Sequence, residues 1–176
     1  MGQGGAKDTV HRRTLKLILA AWVLVISAAP AQAERATPSG LPVPRYVTLK
    51  FDKVNARAGP GDDHRLLWVY RVRGLPVQVI AENSEWRRVC DPKGGLAWVH
   101  KRTTDGRQNV LRMQPGQVSL HKRPNTTAPL VAYLRPQALA ALTKCDKGWC
   151  HLKVGGISGW TPATSVWGTD PKPQCR

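Results

Sequence analysis

An all-β chain, two tandem small β-barrels behind an N-terminal signal peptide, is the fold class this sequence predicts, and three observations carry it. The first is repetition. Val54 and Pro60 lead to Tyr70, Trp86 and Trp98, while Val118 and Pro124 lead to Tyr133, Trp149 and Trp160, at an offset that drifts from 64 to 62 residues. Self-similarity at a near-constant spacing sets the unit of a fold, so one module is used twice. The second is that the apolar runs are short, rich in β-branched and aromatic residues, and broken by Gly, Pro, Asn and Asp, the pattern of strands and turns. The third is size: about five short strands in roughly 60 residues cannot build an extended sandwich, whereas curling into a closed barrel hides their edges.

Residues 1–33 read as an export signal. Lys7, Arg12, Arg13 and Lys16 precede 13 apolar residues, Leu17 to Ala29, and then Ala31-Gln32-Ala33. A positive start, an apolar run and an A-x-A end make a secretory signal peptide cut between Ala33 and Glu34. As a helix the run would rise only about 20 Å, short of a hydrocarbon core of ~30 Å, so a cleaved signal rather than an uncleaved anchor is expected. The remaining chain is then periplasmic or extracellular, with no transmembrane span. Residues 34–45, rich in Pro, Ala, Ser and Gly, have little to bury and read as a flexible leader.

The first module, residues 46–113, has strands expected at Tyr46–Leu49, Leu67–Arg71, Pro76–Glu82, Trp86–Cys90 and Leu96–His100, with turns at Gly59-Pro60-Gly61, Asn83-Ser84-Glu85 and Pro92-Lys93-Gly94-Gly95. The second, residues 114–168, repeats them at Val118–Leu120, Leu130–Leu134, Ala138–Lys144, Trp149–Val154 and Ile157–Trp160. Ala138 to Thr143 passes as helix on propensity, but its counterpart Pro76-Val77-Gln78-Val79-Ile80 does not, and the repeat decides for strand. Residues 101–117 form the joint, with one helical turn open at Arg102 to Gly106, and residues 169–176 form a polar tail.

All four cysteines follow the signal, in a compartment where disulfides persist. Cys145 and Cys150 flank the polar turn Asp146-Lys147-Gly148-Trp149, and residues facing each other at a hairpin end lie near bridging distance. A Cys145–Cys150 disulfide is therefore predicted. Four cysteines permit three pairings and sequence does not choose among them; parity favours Cys90 with Cys175.

The formal net charge is +16, and both modules share it, with 13 basic and 7 acidic side chains in residues 46–113 against 8 and 2 in residues 114–176. Such an excess speeds encounter with polyanions, which outside the cytoplasm means phosphate head groups and cell-wall carboxylates. A merely solvated surface is the alternative.

Val54-Asn55-Ala56-Arg57-Ala58-Gly59-Pro60-Gly61 resembles the opening signature of bacterial SH3-like domains, V-N-x-R-x-G-P-G. Gly74-Leu75-Pro76-Val77, Trp86-Arg87-Arg88-Val89 and Ala97-Trp98-Val99-His100 continue the pattern in order. The second copy is similar but altered: Ser119, His121 and Arg123 stand at the polar and glycine positions, and Thr161 stands where Val99 does. Cys145-Asp146-Lys147-Gly148-Trp149-Cys150 resembles the second module of two-module exported members. The resemblance covers residues 46–168. It implies a small β-barrel binding module of the bacterial envelope, whose relatives recognise peptidoglycan, its peptides or other envelope proteins.

An enzyme would need a nucleophile with a base, a carboxylate pair or a metal cluster, and none assembles, so a non-catalytic protein without cofactor or metal is expected. Cys145, Cys150 and His151 offer three zinc ligands, but the spacing departs from the usual paired ligands. The aromatic residues carry more. Tryptophan offers a flat face and an orienting N–H. Trp98 and Trp160 are expected in the barrel wall or core; Trp86 and Trp149, after turns and beside basic residues, are open to binding or packing. Tyr70 with Arg71, Arg88, and Arg57 as a bidentate carboxylate partner complete the candidate ligand-binding set. Arg57 has a turn-bracing role as its alternative. The function expected is recognition of peptidoglycan or an envelope protein through a basic and aromatic groove. The alternatives are a structural adaptor whose two packed barrels hold protein partners, and general polyanion binding, with no specific nucleic acid expected.

Overall fold

The computed structural model describes Met1, Gly2, Gly4 and residues 37–175. The expected signal peptide and its cleavage site at Ala33 and Glu34 lie outside the described residues. Thirteen strands and two short 3-10 turns make up the described chain. They are β1 (Arg45–Leu49), β2 (Val54–Arg57), β3 (Leu66–Tyr70), β4 (Pro76–Glu82), β5 (Trp86–Cys90), β6 (Leu96–His100), β7 (Thr104–Asp105), β8 (Asn109–Leu111), β9 (Val118–His121), β10 (Leu130–Leu134), β11 (Leu139–Asp146), β12 (Trp149–Val154) and β13 (Ile157–Pro162).

The strands form two antiparallel sheets, ordered β3-β2-β6-β5-β4-β1-β7 and β10-β9-β13-β12-β11-β8. Removing β7 leaves one order used twice, with β8 in the place of β1. The internal repeat is therefore a repeat of topology. The sequence places no strand at β2, β7 or β8, short segments set among turn formers. The helical turn open at Arg102 to Gly106 is a 3-10 turn at Lys101–Thr103 followed directly by β7.

The closed barrels expected from the sequence are not formed: β3 and β7 end one sheet, β10 and β8 the other. Bulges explain how a core is enclosed without closure. Register shifts between Ala56 and Arg57, Val79 and Ala81, Leu130 and Ala132, and Leu142 and Lys144 coil each sheet around its own apolar face. One core gathers Val47, Leu49, Val54, Ala56, Val77, Val79, Val89 and Val99, and the other Val110, Leu120, Leu134, Ala140, Cys150, Leu152 and Val166.

Part of the segment expected as a leader is held against the first sheet. Ser39 donates to Glu82, and Arg45 Nη2 reaches the same carboxylate at 2.5 Å while Arg87 Nε lies 3.4 Å from it. Arg87 Nη1 continues to Thr104 Oγ1 at 2.5 Å, so one buried carboxylate connects β1, β4, β5 and β7. Burial alone would raise the Glu82 pKa, but hydrogen bonds from Arg45, Ser39 and Thr37 and the Arg45 charge outweigh it and bring it down to about 2.

The boundary expected at residues 113/114 lies too late in the chain, because β8 pairs with β11 in the second sheet, and two contacts join the sheets. Asn109 Nδ2 donates to the Gly74 carbonyl at 2.8 Å, and Tyr46 meets Trp167 edge to face at 5.1 Å. The C-terminal tail then returns across the first sheet. Gln78, wholly buried, donates to the Lys172 carbonyl at 2.8 Å and accepts the Gln174 N–H at 2.9 Å. A Cys90–Cys175 disulfide fixes the strap, and a Cys145–Cys150 disulfide joins β11 to β12.

Candidate functional site

The turn before β5 presents Trp86: Asn83 Oδ1 accepts the backbone N–H groups of Glu85 and Trp86 at 3.0 and 2.7 Å. Hairpin register sets Trp86 opposite His100, and their rings lie 5.1 Å apart. His100 also caps the 3-10 turn, its Nδ1 accepting the Arg102 N–H at 3.2 Å, which leaves Nε2 as the ring's donor. Around this pair Lys53, Asn55, Arg57, Asp62, Arg102 and Thr103 enclose a hollow of about 200 Å³. Lys53 and Arg102 are exposed, with no acidic partner among the described residues. The hollow is thus basic at its rim and aromatic at its wall. Trp86 itself is only 7% exposed, so the partly exposed face open to it in the sequence is largely packed away.

Arg57 lines the same hollow but is already engaged. Its Nη1 donates to the His64 carbonyl at 2.9 Å and its Nη2 pairs with Asp62 at 3.1 Å, closing the Gly59-Pro60-Gly61 loop. The second module does the same with another residue. His121 stands opposite Trp160 as Arg57 stands opposite Trp98, and His121 Nδ1 hydrogen-bonds the Ala128 carbonyl at 2.9 Å, seven residues on, as from Arg57 to His64. The altered signature keeps its brace while changing its chemistry. The bracing role is the one the geometry gives Arg57.

Tyr70 and Arg71 lie elsewhere. Tyr70 is buried, and its hydroxyl donates to Asp91 Oδ2 at 3.1 Å while Asp91 Oδ1 accepts the N–H groups of Lys93 and Gly95, each at 2.8 Å. Burial, reinforced by the Asp91 charge, pushes the Tyr70 phenol well above its ordinary pKa, so it remains a donor. Both residues line a cleft of about 510 Å³ together with Leu111 on β8, the edge strand of the second sheet, Met113 just after it, and Gln137. Arg88 is exposed on β5 opposite Trp98. Trp149 is half-buried, its ring edge-on to His121 at 6.2 Å. The six candidates therefore occupy four places rather than one groove.

Trp98 and Trp160 are half-buried. Trp160 is flanked by His151 at 5.0 Å and Lys144 Nζ at 5.4 Å. Lys53, Asn55, His100 and Arg102 escape sequence reasoning as site residues. Counting the hairpin outward from Trp86 would have found His100, its cross-strand partner. Lys53 and Arg102 come together only through the fold. All four cysteine sulfurs are consumed in disulfides.

Two copies of the bacterial SH3 domain model match the chain, at residues 50–106 and 114–168. No curated protein matches it. Among solved structures it is similar to NlpC2 from Trichomonas vaginalis, at 11% identity and a TM-score of 0.32 over 70% of this chain and 47% of that one. It is similar also to NlpC1 from the same organism, at 13% identity and a TM-score of 0.33 over 75% of this chain and 48% of that one. The chain spans about half the length of either. The matched segments cover most of the described residues and hold β2 to β7 and β9 to β13, all of the two sheets except β1 and β8, and the chain belongs to the bacterial SH3 domain family.

Proposed function

We propose that this protein is a non-catalytic, exported binding module of the bacterial envelope, and that its first module holds anionic cell-wall groups, the carboxylates of peptidoglycan, in the hollow beside Trp86. The observation that carries the reading is the charge balance there. Lys53, Arg57 and Arg102 surround the Trp86–His100 pair, and the one carboxylate lining the hollow, Asp62, pairs with Arg57. Two exposed cations remain to meet a ligand carboxylate beside a donor imidazole. Two disulfides support a place outside the reducing cytoplasm.

Sedimentation with purified peptidoglycan tests the proposal. Retention is expected to fall as salt rises from about 50 to about 500 mM, because exposed charges are screened over that range. A Lys53→Glu/Arg102→Glu double variant, altered only at exposed positions, should lose retention while keeping its near-UV circular dichroism. Retention unchanged by both salt and the double variant would remove this reading.

A second reading, a structural adaptor whose two packed modules hold a protein partner, is supported by the strap through Gln78 and Cys175, which braces the two sheets into one scaffold. Cross-linking in intact cells separates the two readings by recovering protein rather than glycan.

A further inference from the structure

The cleft between the modules has a different chemistry from the hollow beside Trp86. Its apolar lining combines Trp68, Val69, Tyr70, Val72 and Leu75 with Leu111 and Met113. Its volume of about 510 Å³ lies within the range of mostly apolar ligand sites that bury their ligand and orient it with a few polar groups. The polar group inside is already satisfied, since both Asp91 oxygens accept hydrogen bonds. Arg71 and Lys93 are exposed and line the cleft with no acidic partner among the described residues. Anything seated there meets apolar surface flanked by a net positive charge, with Arg71 and Lys93 set against the single buried carboxylate of Asp91.

The backbone adds a second constraint. Five consecutive residues line the cleft, Trp68, Val69 and Tyr70 on β3 and Arg71 and Val72 just after it. Because strand side chains alternate between faces, an unbroken run of lining residues means that the edge of the strand itself borders the cavity. Among the described residues that strand, β3, ends its sheet and pairs only with β2, which leaves its outer N–H and C=O groups to pair with another strand. Val72 leaves 45% of its surface exposed beside them.

We propose that this cleft binds an extended segment of a partner protein, acidic and apolar in alternation, that adds a strand to the free edge of β3. Alternate apolar side chains fill the space between Trp68, Leu75, Leu111 and Met113, and the intervening carboxylates meet Arg71 and Lys93. Strand addition takes affinity from main-chain hydrogen bonds and specificity from pockets for alternate side chains. The apolar walls favour a protein segment over glycan, whose polar sugars would leave Leu75, Leu111 and Met113 unmatched. The net charge of +16 disfavours a second copy of this chain as occupant. The inference deepens the adaptor reading and is independent of the hollow beside Trp86.

Random 12-residue peptides displayed on phage, selected against the full chain with both cystines intact, test it. Selected peptides should carry aliphatic residues alternating with Asp or Glu. Amide shifts in the labelled protein should centre on residues 66–72, 93–95 and 111–113. Arg71→Glu/Lys93→Glu should weaken binding by about tenfold or more, as reversal of close interfacial charges does, whereas Lys53→Glu should leave it unchanged. Because both rim residues are exposed, their variants keep the fold. Peptides without the acidic pattern, equal binding by the double variant, or displacement of the peptide by peptidoglycan would overturn the proposal. Binding with shifts confined to other surfaces would overturn the cleft while leaving the adaptor reading standing.

Discussion

Replacing Cys90 and Cys175 by serine should cost this protein more stability than replacing Cys145 and Cys150, although the second pair looks like the stronger local brace. The Cys90–Cys175 bond spans 85 residues and the Cys145–Cys150 bond spans 5. On the chain-entropy account, a cross-link stabilises by the closure entropy it removes from the unfolded chain, which gives about 4–5 kcal/mol for the long loop and about 2 kcal/mol for the short one. The long loop contains the whole second module. Its loss also frees the strap, so that the Gln78 amide, wholly buried, exchanges two hydrogen bonds with the tail for water. Urea unfolding of the two double-serine variants, followed by tryptophan fluorescence and far-UV circular dichroism, measures both effects. The Cys90→Ser/Cys175→Ser protein is expected to lose at least twice the stability of the other and to show an added early transition as the modules separate. Equal losses, or a single transition at an unchanged midpoint, would refute the argument that the tail clamps one module to the other.

Two further predictions follow from equivalent positions and buried charge. Gly74 and Gln137 occupy the same place in the two modules, and both have left-handed backbones, at φ +83° and +62°. A side chain in that region costs about 1–2 kcal/mol, so Gln137→Gly should stabilise by roughly 0.5–1 kcal/mol once the greater freedom of glycine in the unfolded chain is deducted. The reverse change, Gly74→Gln, should destabilise, since a Cβ there would lie 3.1 Å from Asn109 Nδ2; thermal melts of both variants decide. For Glu82, whose folded pKa is brought down to about 2, the stabilisation is complete above the ordinary carboxylate range and is lost as pH falls from about 4.5 toward 2. Glu82→Gln should cost about 1–3 kcal/mol near neutrality, after allowance for partly solvated partners, and almost nothing at pH 2. Equal losses at both pH values in urea titrations would refute the linkage.

The boundaries of β4, β5, β6, β10 and β12 match the residue ranges expected from the sequence, because each is a run of β-branched or aromatic residues ended by turn formers. The strands that escaped it, β2, β7 and β8, are short and carry no such run; pairing with neighbours creates them. The second signature is altered in sequence, yet His121 bridges the loop equivalent to the one Arg57 closes. A hydrogen bond to a carbonyl needs a donor at the right place, and two unlike side chains supply it. Closure failed as an expectation because it assumed that a small sheet must hide its edges against itself. Bulges bend each sheet around its core, and β3 turns its edge toward the neighbouring module.

By itself, the sequence determined the all-β class and most of the strands, which rest on local alternation and turn chemistry within about 10–20 residues, and the twofold repeat and the family signature, which rest on the order and spacing of residues along the chain. Tertiary structure alone decided where binding chemistry can sit. Lys53, His100 and Arg102 gather around Trp86, and Met113 comes to line one cleft with Trp68, only because strands distant in sequence pair and two sheets pack. The cations that meet in each place are set by distances through space, which alternation along a strand does not encode.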